Sequence, residues 1–266
     1  MKKLNTYILS KIKNETNITE KLRINKSKLK AGTEHTLFPK SRPELIDMIK
    51  EETKKNGNNC SLNHIDVSKI DDMRYLFSST KFNGDISQWN VSNVIDMGNM
   101  FSLSDFNGDI LDWDVSNVEN MQGMFCSSKF NQDISIWDVS NVENMQAMFS
   151  DSEFNQDINN WDVSSVTNMN SMFYKSKFNG DMSQWEVSKV IDMRFMFFGS
   201  KFTGENGDIS VWDVSNVNTM ESMFYQSDFN ENISKWEIKP SCITDSIFID
   251  SKIKDEYKPF KNGKRL

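Results

Sequence analysis

From Ile65 to about residue 250 the apolar positions follow neither a helical nor a strand period but a longer repeated string. One unit, Trp137 to Asn160, reads WDVSNVENMQAMFSDSEFNQDINN. Trp137 and Val139 are two apart, so on an extended chain they share a face while Asp138 and Ser140 point the other way. Val142, Met145, Met148 and Phe149 follow at steps of three, three and one. That spacing predicts a short 3-10 or α turn packing back onto the strand. Phe154 closes the unit, and Asn155-Gln156-Asp157 turns the chain into the next one, since Asn and Asp side chains bond nearby backbone groups.

The string recurs in register. Tryptophan stands at 89, 113, 137, 161, 185, 212 and 236, at intervals of 24 except for one of 27. The three extra residues lie between Phe202 and Asn206, and the first unit has Ile65 where Trp is expected. After Trp236 the pattern degrades. Each unit offers about seven apolar side chains at roughly 1.5–3 kcal/mol apiece. Ordering 24 residues costs about 1–2 kcal/mol each for the backbone alone. One unit does not fold by itself; stacking on its neighbours is what stabilises it.

This pattern predicts an α/β repeat fold: a leucine-rich-repeat-like solenoid with short parallel strands on one face and short helical or 3-10 turns on the other. A helix is expected ahead of it. Ser41 suits an N-cap, Pro43 the first turn, and Gly57 a stop. Leu45, Ile46, Met48 and Ile49 would cover the open end of the first coil. The expected divisions are a basic extension at 1–42, a capping helix at 43–58, seven to eight repeats over 59–250 and a basic tail at 251–266.

Charge sharpens that division. Residues 1–42 hold 11 Lys/Arg and 3 Glu, a balance of +8; the whole chain carries −7, so the remaining residues carry −15. The opening reads as a basic, weakly amphipathic helix with Leu4, Ile8 and Ile12 spaced by four. Its apolar stretch is broken by Lys11 and Lys13, so it does not read as a secretory signal. No run of 18 apolar residues predicts a membrane span. Three scattered cysteines and two histidines give neither a disulfide framework nor a metal-ligand spacing. No cofactor is expected, and the acidic body disfavours nucleic acid.

The recurring string FNxDISxWDVSNVxxMxxMF, seen for example from Phe130 through Val142, resembles the BspA-like bacterial surface-protein repeats, relatives of the leucine-rich repeats. The resemblance covers roughly residues 43–250. It implies a leucine-rich-repeat-like solenoid and a role in surface attachment or recognition, hence a cell-surface or secreted protein. No export signal is visible in the opening, which leaves a cytoplasmic or virion-associated location open as well.

The candidate contact surface is the column that follows each Trp position: Asp66, Asn90, Asp114, Asp138, Asp162, Glu186, Asp213 and Glu237. Seven of these eight residues are acidic. On parallel strands about 4.8 Å apart, neighbouring carboxylates would repel by about 0.9 kcal/mol in water and about 3.5 kcal/mol at an effective dielectric of 20. The bland reading is a solvated face that discourages edge pairing. The functional readings are a face for a protein partner or cell-surface ligand, or weak cation binding. Leu111, Ile136 and Val211 intrude on outward columns and are candidate hot spots. The Trp column would suit glycan stacking if it faced outward, but it shares parity with Val and Ile, which places it in the core. Asn131 and Asp133, with Asn83/Asp85, Asn107/Asp109, Asn155/Asp157 and Asn179/Asp181, are expected to cap backbone groups.

Catalysis is disfavoured. A glycosidase pair would stand out from the repeat, with unique neighbours that split its two pKa values; here the carboxylates are the repeat. The expectation is therefore a monomeric, non-catalytic interaction or adhesion scaffold that binds through its strand face.

Overall fold

The structure is a computed structural model and describes residues 34–266; the expected amphipathic helix at Leu4, Ile8 and Ile12 lies outside the described residues. Helix α1, Arg42–Asn56, has Ser41 as its N-cap, proline in its first turn, and Gly57 at its end with φ +84°. Such a φ favours glycine. Leu45 and Ile49 of α1 are buried in the same apolar core as the first repeat. Just ahead of α1, Leu37 pairs with Ile65 in a parallel bridge, accepting a bond from Asp66 N–H at 2.9 Å.

Tandem repeats follow, and the backbone passes directly from one to the next. Isolated parallel bridges link Asp72, Asp96, Asn120, Asn144, Asn168, Asp192, Thr219 and Ile243 in turn. From each of these positions except Ile243 the chain donates every second N–H to the following repeat. In one repeat Met145, Ala147, Phe149 and Asp151 donate to the carbonyls of Asn168, Asn170, Met172 and Tyr174 at 2.6–3.0 Å. The intervening Met148 and Ser150 N–H groups close turns on carbonyls three residues back. Two positions per repeat, here Ala147 and Asp151 at φ +53°, adopt the left-handed conformation that makes this alternation work.

This relocates the strands expected at Trp-x-Val. Those segments are not strands, and between repeats they are joined by side chains. Each indole N–H donates to a main-chain carbonyl one repeat back, as Trp137 does to Ile110 at 3.1 Å. The amides of Asn93, Asn117, Asn141 and Asn216 donate to Ser68, Ser92, Ser116 and Ser188 carbonyls, each at 2.7 Å. The Met-x-x-Met-Phe segments, expected as helical turns, instead carry the backbone ladder. Within the repeats the one 3-10 turn is Ile209–Val211, in the unit with three extra residues.

The core is continuous from α1 to Ile253. All seven tryptophans are buried, at 2–4% exposure, and Trp89 stacks on Trp113, Trp185 on Trp212 and Trp212 on Trp236. Phe101, Phe125 and Phe149 form a second file with ring centroids 5.6–5.8 Å apart. After the repeats a two-stranded antiparallel sheet, β1 (Phe260–Lys261) and β2 (Lys264–Arg265), closes the chain. Among the described residues no helix is long and apolar enough to cross a membrane.

Candidate interaction surfaces

Three side-chain turns shape each repeat, and the acidic column is one of them. The side-chain oxygens of Asp66, Asn90, Asp114, Asp138, Asp162, Glu186 and Asp213 each accept the N–H of the Ser two residues on, at 3.0–3.2 Å. A turn at that point bends the chain, which is why this column cannot lie along a strand. The Ser hydroxyls add a second bond in places, at 2.6 Å to both Asp114 and Asp138. The Ser68 and Ser215 hydroxyls hold the Asp66 and Asp213 carboxyls below their ordinary range.

The second turn is made by Asp85, Asp109, Asp133, Asp157, Asp181 and Asp208, each accepting an N–H two residues on at 2.8–3.0 Å. The third is made by the bridging column itself, as when Asn144 accepts from Gln146 N–H at 3.0 Å. Next to the second turn runs an asparagine ladder. Asn83, Asn107, Asn131 and Asn155 each accept the N–H of the asparagine one repeat on, at 2.8 Å.

The acidic column is exposed except at Asp66, which is half-buried. Among the described residues no group of three or more His, Cys, Asp or Glu is placed to hold a metal ion. The candidate hot spots do not converge. Leu111 and Ile136 are half-buried, and only Val211 is well exposed, at 64%. By repeat register Ile136 and Val211 share a column, while Leu111 belongs to the one beside it.

A different surface gathers aromatic side chains. On the outer side of the backbone ladder Tyr174, Phe198 and Tyr225 occupy one column and are half-buried. Their rings stack with centroids 4.9 and 4.8 Å apart. Phe195 meets Phe198 edge-on at 6.1 Å, and the Lys175 ammonium lies 5.3 Å from the Tyr174 ring. Ile249, 48% exposed, continues the column into the last repeat. In earlier repeats the same column holds Ser78, Ser102, Cys126 and Ser150. Sequence reasoning missed this surface because it followed the string that recurs in every repeat. The signal was present in the variable position after each Met-Phe pair.

Comparison with known proteins finds one family. The model described as Mycoplasma protein of unknown function, DUF285, matches three overlapping stretches, residues 44–153, 104–205 and 150–258. No curated protein and no solved structure matches the chain.

Proposed function

The chain belongs to the DUF285 family of tandem-repeat proteins, and from that premise we propose that it is a non-catalytic protein-interaction scaffold, a solenoid of the BspA-like type whose ladder face binds a protein partner. The observation that carries this reading is the aromatic column. Tyr174, Phe198 and Tyr225 lie in a file on a surface whose earlier repeats carry serine or cysteine. Aromatic side chains that stay partly exposed are the residue types that anchor protein contacts. The acidic column adds negative charge elsewhere on the repeats and favours partners with basic surfaces.

Competing readings fit the geometry less well. A glycan stacks on a ring face, and here the faces within the column cover one another, leaving mainly edges outward. The acidic carboxylates are committed one by one to turns, so a cation would compete with the fold. They also have near-identical surroundings, which does not separate an acid from a base.

The test compares capture of partners by the intact chain and by a Tyr174→Ser, Phe198→Ser, Tyr225→Ser variant. Serine already occupies this column at three positions, so the fold tolerates it there. Loss of about tenfold or more in affinity for a captured partner supports the proposal. Unchanged binding of every partner sinks it. An Asp114→Asn, Asp138→Asn, Asp162→Asn variant keeps the turns, as Asn90 does naturally, and isolates the contribution of charge.

A further inference from the structure

The backbone ladder that joins the repeats has two ends, and they are finished differently. At the first end one acceptor of the edge is capped. The Arg42 guanidinium donates to the Arg74 carbonyl and lies 3.8 Å from Asp72, and α1 packs Leu45 and Ile49 onto the repeat beneath. At the last end Lys261 reaches the Cys242 carbonyl and the Thr244 hydroxyl and Lys258 lies over the Phe248 ring, but among the described residues the backbone donors stay open. Met220, Ser222, Phe224 and Gln226 donate to Ile243, Asp245, Ile247 and Ile249. The corresponding groups of the final repeat, the N–H of Thr244, Ser246, Phe248 and Asp250, find no acceptor among the described residues.

A groove of about 410 Å³ lies along that edge, between Thr244, Ser246 and Phe248 on one side and Lys258 and Leu266 on the other. Ile249, at 48% exposure, stands at its rim as the last member of the aromatic column.

We propose that this edge is a peptide-binding site: an extended segment of a partner protein adds to the last repeat as one more rung, offering alternate carbonyls to Thr244, Ser246, Phe248 and Asp250. Four donors at two-residue intervals specify an extended strand and its direction. Every preceding interface in the chain shows the same contact already made, with a parallel segment in that position. The edge is the continuation of an interface built several times over, and strand addition is a standard way to read such an edge. Side chains follow from register. The incoming segment sets an apolar residue over Ile249, extending the Tyr174, Phe198 and Tyr225 file; Phe248, 9% exposed, already has the Lys258 ammonium 5.8 Å from its ring and is not a pocket for it. Residues 251–266 hold six Lys/Arg against two acids, so a segment of net negative charge is favoured beside the groove. A second copy stacking end to end is disfavoured, because Arg42 already occupies the Arg74 carbonyl of its first repeat.

This site goes beyond the scaffold reading, since a partner on the aromatic column need not touch the edge. The experiment uses the full chain, isotope-labelled for amide NMR, and a synthetic peptide of residues 216–228 as probe. That segment offers the carbonyls of Thr219, Glu221, Met223 and Tyr225 to the preceding repeat in this same pattern, it is acidic, and its Tyr225 would fall over Ile249. Expected are saturable shifts and slowed exchange at the amides of Thr244, Ser246, Phe248 and Asp250. Ile247 and Ile249 amides, already bonded within the repeat, keep their exchange rates. Ile249→Lys should weaken the peptide by about tenfold. Any of three results overturns the proposal: no change at the four amides with millimolar peptide, equal effects from a scrambled peptide, or the same protection on concentrating the protein alone. Shifts confined to Tyr174, Phe198 and Tyr225 overturn it too, while leaving the scaffold reading intact.

Discussion

At the scale of single residues, the acidic column acts first as a set of turn-makers. Asp138 accepts both the N–H and the hydroxyl of Ser140. Changing Asp138 to Ala removes both bonds and should lower unfolding free energy by about 0.5–1.5 kcal/mol. Asp138→Asn keeps an acceptor, as Asn90 does, and should change it by less than about 0.5 kcal/mol. Urea denaturation of the two variants separates turn chemistry from charge. The same residues give the protein an acid limit. The hydroxyls of Ser68 and Ser215 lower the Asp66 and Asp213 pKa values, the Arg74 guanidinium lowers that of Asp72, and the Lys252 ammonium that of Asp228. A carboxyl that is more acidic in the folded state stabilises it fully above the unfolded pKa, about 3.9 for Asp. That contribution is lost as pH falls through the folded value. Melting temperature should therefore be insensitive to these groups near neutrality and fall once pH drops below about 4, as read by circular dichroism.

At the scale of elements, α1 is the piece with the clearest separate duty. Leu45 is 0% exposed and lies between α1 and the first repeat. Leu45→Asp buries a charge without a partner there, and should cost about 3 kcal/mol or more and promote aggregation through the uncovered edge. Size-exclusion chromatography and thermal melting report both effects. The elements also show what a sequence can and cannot disclose. The repeat length, the three-residue insert, the interior place of Trp137 and the capping of Ser41 are written in residue types, because burial and cap chemistry select those types directly. The rungs are not. A rung depends on left-handed residues such as Ala147, Ser171 and Phe195, none of them a residue whose identity announces that conformation. Trp137-x-Val139 has strand parity, yet Asp138 and Ser140 convert the segment into a turn. The alternation was real, but it was satisfied by a bend whose indole and amide side chains make the contacts a strand's backbone would make. The aromatic surface was hidden for a different reason: Tyr174, Phe198 and Tyr225 are 24 and 27 residues apart, and only correct registration across the insert lines them up.

At the scale of the whole molecule, each repeat touches only those before and after it, so stability is held in interfaces rather than in one centre. Amide exchange should follow position. The N–H groups of Met145, Ala147 and Phe149 have several bonded repeats on either side and should exchange slowest. Protection should decline toward residues 244–250, whose alternate N–H groups find no acceptor among the described residues. Exchange measured by mass spectrometry that is uniform from end to end would show a single cooperative unit instead.

The rung pattern also gives the protein a mechanical character. A load applied along the stack pulls on one interface at a time, because the ladder bonds of the backbone and the indole and amide bonds run from a repeat to its neighbour. The chain should behave as a fuse of nearly identical links rather than as a block with one breaking strength. Stretched in an optical trap, it should give way in successive small steps, each releasing ~80 Å of slack from 24 residues of extended chain. The step containing the insert at 203–205 should be longer than the others. A tether of this kind sheds tension in portions, and its remaining repeats stay folded while it does so.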